Sequence, residues 1–349
     1  MLLYVLNADR EIIDTVEVFK SLIWTTRFQA TGDFELVLPA SIKNFELFKN
    51  GKFLVRVDRP TQGMLIKNIQ LQTDIENGDY LTVTGKSLSS LLEQRIIWEQ
   101  TIVEGTPEEC INDLVAFNLA YFASQDRFIE PLTLGEYTES ENTMKAQYTG
   151  DNLAETIQSI CKAYGLGYTV DVDFQYGTFF TFRILHGLDR TSNQNKNPRV
   201  IFSSEFDNLL KTSYVLNTDN YKNVAKVAGE GEGTDRKTVT VGEGVGIDRY
   251  EIFVDARDIS SNEGEINEED YSKQLIERGL EKLSEHKVVE TIEGEAEPLI
   301  NYKFGEDYDI GDIVEVINEY GISITARITE VIECEDDTGT YIIPSFSTD

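Results

Sequence analysis

Residues 21–40, SLIWTTRFQATGDFELVLPA, decide the first part of the fold. Two strand-like apolar runs, 21–28 and 34–38, flank a Gly32-Asp33 turn, and Pro39 ends the second run. Aliphatic and aromatic runs bounded by turn residues are typical of β-strands. Working outward, the runs at 2–6, 12–18, 52–57, 64–73 and 80–84 continue the pattern, and Asn77-Gly78 is a hairpin turn signal. The front of the chain is therefore predicted to be mainly β, with short helices over 41–49 and from Ser87.

The middle of the chain predicts a mixture of helices and strands. Thr106 has the position of an N-cap before Pro107 and Glu109, and a second helix is expected from Asp151-Asn152 to Gly165. Two strand-like runs, 168–174 and 178–184, then predict a hairpin that packs on these helices. The polar, Asn-rich stretch 191–198 is the best candidate linker.

The last part of the chain returns to strands around one helix. Asn267 is the expected cap of this helix, and the acidic residues that follow it complement the helix dipole. Residues 322–329 alternate strictly between apolar and polar, which predicts a half-buried strand. The other strand candidates are 212–216, 223–228, 238–241, 313–317 and 341–343.

A faint internal repeat relates two of the β regions. Residues 51–81 and 311–342 share the same order of glycine turns and aliphatic pairs, with spacings that differ by one or two residues. Any two β-meanders with similar hairpins would look alike, so one interpretation is chance. The other is a duplicated β domain, of which a trimer would present six similar units around a ring and could dock onto a sixfold tube.

These patterns predict an α+β fold that is mainly β. The expected division has a first β-barrel-like domain at 1–95, an α+β domain at 96–198, a second β-barrel-like domain at 199–235 and 288–349, and a strand-helix insertion at 236–287.

The charge balance is the strongest global signal. Lys and Arg number 31, whereas Asp and Glu number 62, which gives a formal charge of −31. Such a surface repels phosphate, so ordinary nucleic-acid binding is not expected. The acid surplus either keeps an assembly subunit in solution or lines a wall past which DNA moves without sticking. The apolar runs are too short to cross a bilayer, and we expect no signal peptide and no membrane anchor.

The sequence offers little catalytic chemistry. Cys110, Cys161 and Cys334 are predicted to be free thiols, and the two histidines, His186 and His286, lack a local catalytic motif. No spacing marks a zinc or calcium site. We therefore predict no enzyme, no cofactor and no metal, although paired carboxylates for glycoside cleavage cannot be recognised from spacing in sequence.

Two further features have competing interpretations. The glycine clusters 229–233 and 242–246 contain glutamates that would repel phosphate, so hairpin tips are favoured over a phosphate loop. Trp24 and Trp98 are expected to be core residues, and the alternative for both is an interface anchor.

Three segments carry a family resemblance: 21–40, 85–98 (GKSLSSLLEQRIIW) and 304–333 (FGEDYDIGDIVEVINEYGISITARITEVIE). They resemble the siphovirus gene-product-37-like tail protein family. The resemblance implies the hub fold of phage baseplates, with two related β-barrel-like hub domains per chain in a homotrimeric ring under the tail tube. It supplies no catalytic residues, and it implies that the motif residues specify turns and strand packing. These residues are Trp24, Arg27, Gly32, Asp33, Phe34, Gly311 and Asp312.

The resemblance also implies a role and partners. The protein is expected to be a structural hub of a tail tip or baseplate, made in the bacterial host cytoplasm and located at the virion tail tip. The implied partners are the tail tube or distal tail protein, the tape measure protein, and tip or fibre proteins, with DNA only as passing cargo. Related proteins often carry a C-terminal fibre, peptidase or sugar-binding module, which we do not expect in this chain. The alternative functions are a carbohydrate-binding tail-tip adhesin and a wall-degrading hydrolase.

Overall fold

The computed structural model describes residues 1–73, 78–174, 179–295 and 302–348. The front of the chain forms seven strands, one α-helix and a 3₁₀ segment. In chain order these are β1 (Leu3–Leu6), β2 (Ile12–Val16), β3 (Ser21–Arg27), β4 (Asp33–Pro39), α1 (Ile42–Asn50), β5 (Phe53–Arg56), β6 (Gly63–Gln72), β7 (Tyr80–Ser87) and the 3₁₀ segment Leu88–Gln94. Of the predicted Asn77-Gly78 turn, Asn77 lies outside the described residues, and Gly78 has φ +87°.

The middle of the chain forms the predicted mixture of helices and strands. Its elements are β8 (Thr101–Gly105), α2 (Pro107–Asn118), β9 (Leu132–Leu134), β10 (Met144–Tyr148), α3 (Leu153–Tyr164), β11 (Gly167–Asp173) and β12 (Phe179–Leu185). Both predicted helix starts are confirmed. Thr106 and Glu109 form a reciprocal capping box at α2, and the Asn152 side chain caps α3. Strand β12 pairs with β11, as predicted, although the predicted start of this strand at residue 178 lies outside the described residues.

In the described residues, the last part contains nine strands and one long helix. Its first elements are β13 (Ile201–Ser203), β14 (Leu210–Asn217), β15 (Val224–Ala228), β16 (Thr238–Gly242) and β17 (Glu251–Asp255). They are followed by α4 (Glu268–Ser284), β18 (Val289–Glu295), β19 (Ile313–Ile317), β20 (Ser323–Asp336) and β21 (Gly339–Ser347). The predicted cap of α4 is confirmed, because the Asn267 side chain accepts a hydrogen bond from the backbone N–H of Asp270.

One large sheet joins the front of the chain to the rear. Its strand order is β14-β18-β21-β20-β3-β4-β7-β6-β5-β1-β2, and β19 and β13 complete it beside β20. The long strand β20 connects the two regions. Its first part pairs with β19 and its second part pairs with β3, both antiparallel.

The two halves of this sheet repeat the same five-strand topology. In the front, the spatial order is β3-β4-β7-β6-β5, and in the rear it is β14-β18-β21-β20-β19. Every neighbouring pair is antiparallel in both halves. The strands therefore correspond one to one in chain order, from β3 with β14 to β7 with β21.

A β-bulge lies at the same place in both halves. The register between β6 and β7 shifts between Ile66 and Asn68, and the register between β20 and β21 shifts between Ile328 and Glu330. The sequence repeat aligns these two positions. Because bulges redirect a strand at a specific residue, their coincidence supports duplication over a chance likeness of two meanders.

The connection between β14 and β18 carries an insertion with its own small sheet. Its strand order is β16-β15-β17, and α4 packs against it. Strand β15, which the sequence analysis assigned to residues 199–235 of the second β domain, pairs with β16 and β17 of this insertion. The loop at 242–246 is not the expected hairpin tip, since it connects β16 and β17 on opposite sides of β15.

Four clusters of buried apolar residues fill the molecule. One lies inside the front strands, one inside the rear strands, one under the insertion, and the largest around α2 and α3 with residues from the front strands. The predicted class, α+β and mainly β with two related β domains, is confirmed. The exact domain limits remain a prediction. Among the described residues, no helix has the length and apolarity needed to span a membrane.

Candidate assembly surface

The Gly32-Asp33 turn is connected to the rear of the chain through Arg27. The Arg27 guanidinium donates to Asp33 Oδ2 at 2.5 Å and to the Thr31 carbonyl oxygen at 2.9 Å. Its Nε also donates to Glu330 Oε2 at 2.5 Å, across the β3–β20 pairing. Burial alone would lower the pKa of Arg27, but the two carboxylates outweigh it and raise this pKa. Arg27 therefore joins a front turn to a rear strand.

Trp24 and Phe34 lie side by side in the front core. Both are almost fully buried, and their ring centroids are 6.2 Å apart. The expectation that Trp24 is a core residue is confirmed. The same expectation for Trp98 is wrong, because its side chain is 62% exposed and lies against the Arg127 guanidinium.

The Gly311-Asp312 pair lies where the rear strands meet the middle of the chain. Asp312 is buried, and it accepts hydrogen bonds from the Leu188 N–H at 2.7 Å, from Arg190 Nε at 2.5 Å and from the Asp309 N–H at 3.0 Å. Gly311 has φ +89°, and a Cβ there would lie 2.3 Å from the ring of Phe28. The structure thus places both residues in a crowded junction, where Asp312 is engaged in three hydrogen bonds.

A second ion pair at the junction was not recognised in the sequence. Arg56 and Glu333 are both buried, and Arg56 Nη1 donates to Glu333 Oε2 at 2.6 Å. Arg56 also donates to Asp58, and Arg59 reaches Glu333 at 3.3 Å. The only local signal for this ion pair in the sequence is the charge of Arg56 at the end of the apolar run 53–56. The spacing could not identify a partner 277 positions away.

The structure does not assemble a hydrolytic triad among the described residues. Ser140 Oγ donates to Glu108 Oε2 at 3.1 Å, and His186 Nε2 lies 3.7 Å from Glu108 Oε1. The carboxylate thus lies in the middle, whereas a serine nucleophile requires the histidine between itself and the acid. In the described part of the chain, no three potential ligands cluster as a metal site.

Several cavities are lined by two or more carboxyl groups and bear on the glycosidase alternative. One, of about 420 Å³, is lined by residues in and next to α3 and α4 that include Asp151, Glu155, Glu281 and Glu285. Asp171 and Asp309 are among the residues that line another cavity, of about 190 Å³, between the front strands and β11. Burial raises the pKa of both groups, although Arg183 opposes the effect on Asp171 through a 3.0 Å ion pair. Ligand pockets usually enclose about 300–1,000 Å³, so this cavity is small for a glycan.

The cysteines offer no reactive thiol. Cys110 and Cys161 are buried, and all three cysteines are free, as predicted. Burial, together with Asp113 and Glu109, raises the pKa of Cys110 to about 12. A thiol with a raised pKa carries little thiolate at neutral pH and is a poor nucleophile.

Several large apolar side chains are exposed on the surface. Phe122 stacks on Phe117 of the last turn of α2 and meets the ring of Tyr121 edge-on, and all three side chains are exposed. On β14, Tyr214, Val215 and Leu216 are exposed although they belong to a strand. Exposed apolar strands and aromatic patches are typical of protein contact surfaces.

A protein-family model matches almost the whole chain. The family is described as Siphovirus ReqiPepy6 Gp37-like protein, and the match covers residues 2–346. No curated protein matches the sequence.

Solved structures of phage-type tail proteins have a similar fold. A tail protein from Neisseria meningitidis MC58 is 14% identical with a TM-score of 0.59, and the match covers 99% of this chain and 96% of that one. The 43 kDa tail protein of prophage MuSo2 from Shewanella oneidensis is 13% identical with a TM-score of 0.59, with 100% and 98% covered. Prophage tail protein gp18 from Listeria monocytogenes EGD-e is 12% identical with a TM-score of 0.52, with 100% and 94% covered.

Proposed function

The chain belongs to the Siphovirus ReqiPepy6 Gp37-like protein family, a family of phage tail proteins, and we propose that it is the structural hub of a tail tip or baseplate. In this role it forms a homotrimeric ring at the distal end of the tail tube. The ring connects the tube or distal tail protein with the tape measure protein and with tip or fibre proteins.

The observation that carries this proposal is the duplicated five-strand topology. Two equivalent halves of one sheet allow a threefold assembly to present six similar units, which matches a sixfold tube in symmetry. The junction between the two halves is fixed by β3–β20 pairing and by the Arg27–Glu330 and Arg56–Glu333 ion pairs. A chain with a rigid internal junction is suited to hold a ring at one diameter.

The surface chemistry supports assembly over catalysis. The Ser140–Glu108–His186 contacts lack the order of a catalytic triad, and the cavity at Asp171 and Asp309 is small for a glycan. The formal charge of −31 suits a ring through which DNA passes as cargo, because an acidic wall repels the phosphates.

Mass measurement in solution tests the proposal. The protein is measured alone and with the tail-tube protein of the same particle, by light scattering coupled to size exclusion. We expect a species of about three times the 39.5 kDa chain mass, alone or when the tube protein is present. A chain that stays monomeric in both conditions would contradict the hub role.

A further inference from the structure

Strand β20 has two different partners along one edge. Strand β19 pairs with its first part, from Ser323 to Arg327, and β3 pairs with its second part, from Glu330 to Asp336. Strand β21 covers the opposite edge. The first strand of the front repeat, β3, is therefore paired with the fourth strand of the rear repeat, β20.

The counterpart of β20 in the first repeat is β6, and half of its edge lacks the equivalent partner. Strand β5 pairs with β6 only from Gly63 to Leu65, and β7 covers the opposite edge. Among the described residues, no strand pairs with the β5-side edge between Asn68 and Gln72. The side chains there are largely open to solvent, and Leu71 is 52% exposed.

The counterpart of β3 in the second repeat is β14, and it also lacks a partner on one edge. Strand β3 lies between β20 and β4, and only one of its seven residues is exposed. In the described part of the chain, β14 pairs with β18 alone, and seven of its eight residues are exposed. An exposed edge strand of this length with apolar side chains is normally covered by another chain or protected by charges.

We propose that β14 of one copy pairs antiparallel with the 68–72 half of β6 in a second copy of this chain. The contact reproduces between copies the pairing that β3 and β20 make within one copy. The proposal rests on the hub function and names the partner of its assembly surface. Among the described residues, the contact pairs the two strand edges that lack the partners their counterparts have in the other repeat.

The internal junction also gives the register of this contact. Within the chain, Trp24 lies opposite Glu333 and Arg27 lies opposite Glu330. Through the paired strands of the two repeats, Tyr214 corresponds to Trp24 and Leu71 corresponds to Glu333. The inferred contact therefore places Tyr214 of one copy opposite Leu71 of the next.

The two edge segments carry no acidic residue of their own in a strongly acidic protein, although Glu290, Glu295 and Glu319 accept hydrogen bonds from side chains of β14. Residues 67–72 and 210–217 contain no Asp or Glu, and each segment contains one lysine. Two copies with a formal charge of −31 each would repel one another over most other surfaces. The terminal strand β2 is a weaker candidate, since it carries Asp14 and its pairing with β1 is irregular.

The proposed contact is head-to-tail, because β14 and β6 are different surfaces. Such contacts close into rings when the rotation between copies allows it. Three copies would then contain six junctions of one kind, of which three are internal β3–β20 junctions and three join neighbouring copies.

Disulfide trapping tests the pairing and its register. In a Cys334→Ser background, Leu71→Cys protein and Tyr214→Cys protein carry different tags and are mixed at a concentration at which mass measurement shows self-association. Directly opposed residues on antiparallel strands have Cβ atoms close enough for a disulfide. We expect mixed dimers to form at least about tenfold faster than with Gln70→Cys in place of Leu71→Cys, because Gln70 points to the other face.

The controls separate the pairing from other arrangements. Leu71→Cys protein alone should not form dimers, since a head-to-tail contact never brings two copies of Leu71 together. Rapid dimers of Leu71→Cys alone, or equal rates for the Leu71→Cys and Gln70→Cys mixtures, would overturn the proposal. If the protein self-associates without the expected disulfide, the pairing is wrong and the hub role stands. If it remains monomeric with the tail-tube protein, both fail.

Discussion

At the residue scale, the junction between the repeats depends on a few side chains with opposite charges. Arg56 and Glu333 are both buried. Arg56 also donates to Asp58 at 2.5 Å, and Glu333 also accepts from Arg59 at 3.3 Å. A buried ion pair adds little net stability compared with apolar residues, but the loss of one partner leaves a buried charge unpaired. The junction is therefore sensitive to single substitutions.

Glu333→Gln tests this sensitivity. We expect the substitution to lower the free energy of unfolding by about 3 kcal/mol, because Arg56 stays buried and keeps only Asp58 as a charged partner. Urea unfolding followed by the fluorescence of Trp24, in a Trp98→Phe background, measures the change. Glu306→Gln is the control, since its 3.6 Å pair with Lys303 is exposed and should contribute less than about 1 kcal/mol. Equal effects of the two substitutions would contradict the prediction.

Gly32→Ala tests the tight turn at the start of β4. A Cβ at Gly32 would lie 2.2 Å from the carbonyl oxygen of Thr25, so the backbone of β3 must move. We expect a loss of about 2 kcal/mol, as in overpacked interiors. Gly150→Ala is the matched control: its φ of +81° costs about 1 kcal/mol, but the space around it is open. Thermal unfolding of both variants measures the two losses of stability. A larger loss for Gly32→Ala would show that the close contact matters more, and a larger loss for Gly150→Ala would show that the backbone angle does.

The motif residues were identified from sequence, but their partners were not. Gly32, Asp33, Gly311 and Asp312 are recognisable because turns require particular residue types at adjacent positions. The contact between Arg27 and Glu330 joins residues 303 positions apart, and no local pattern encodes such a distance. The sequence therefore indicates which residues form the turns at the junction, but not which residues contact one another there.

At the element scale, α4 attaches the insertion to the middle of the chain through buried polar groups. Tyr148 of β10 donates a hydrogen bond to Glu281, and Tyr164 of α3 donates to Glu277 at 2.8 Å. Burial raises the pKa of Glu281 to about 7, although Arg278 and Tyr148 oppose this effect. Burial also raises the pKa of Glu277. The helix therefore docks most favourably when these carboxyls are protonated.

The attachment of α4 should weaken as the pH rises. Between the unfolded pKa of 4.5 and the folded pKa of about 7, the folded state binds more protons at Glu281 than the unfolded state does. Its contribution is complete below pH 4.5 and is lost as the pH rises through 7, by about 3 kcal/mol in total. Glu281→Gln should remove this dependence, which hydrogen exchange of α4 at pH 5 and pH 8 would show. Glu269→Gln, at an exposed position on the same helix, is the control.

Helix ends were predicted better than strand pairing. The capping box at Thr106 and the caps at Asn152 and Asn267 depend on residues within one turn, so the sequence contains the whole signal. The pairing of β15 with β16 and β17 was not predicted, because a strand's partners are chosen by tertiary contacts. An amphipathic strand fits the rear sheet and the insertion equally well by pattern alone.

At the scale of the whole molecule, the duplication explains the long sheet and, within the described residues, the unpaired edges of β14 and of the 68–72 half of β6. The five-strand units follow the same order, and one of them donates its first strand to the other. The sequence repeat indicated the meander of three strands. It could not reveal β14 as the counterpart of β3, because the insertion separates β14 from β18 by 71 residues, from 218 to 288. A duplicated chain forms one such junction internally, and each further junction of this kind requires a neighbouring copy.

The association of copies should respond to salt in a way that separates apolar from ionic contacts. Each chain has a formal charge of −31, whereas the proposed edges lack acidic residues. Raising NaCl from about 0.01 M to about 1 M shortens the Debye length from about 30 Å to about 3 Å and screens the repulsion between copies. We expect self-association, measured by sedimentation velocity, to strengthen on the order of tenfold.

The opposite response would show that ion pairs between copies hold the assembly together. Leu71→Glu supplies the matched comparison, because it introduces a charge into the proposed edge of β6. Its association should be weak at both salt concentrations, because screening by NaCl does not restore the apolar contact with Tyr214 that the glutamate removes. Ile247→Glu changes a side chain that is even more exposed but lies on the insertion, and it should associate like the unmodified protein. If both variants associate equally well, the copies meet through a surface other than the strand edges.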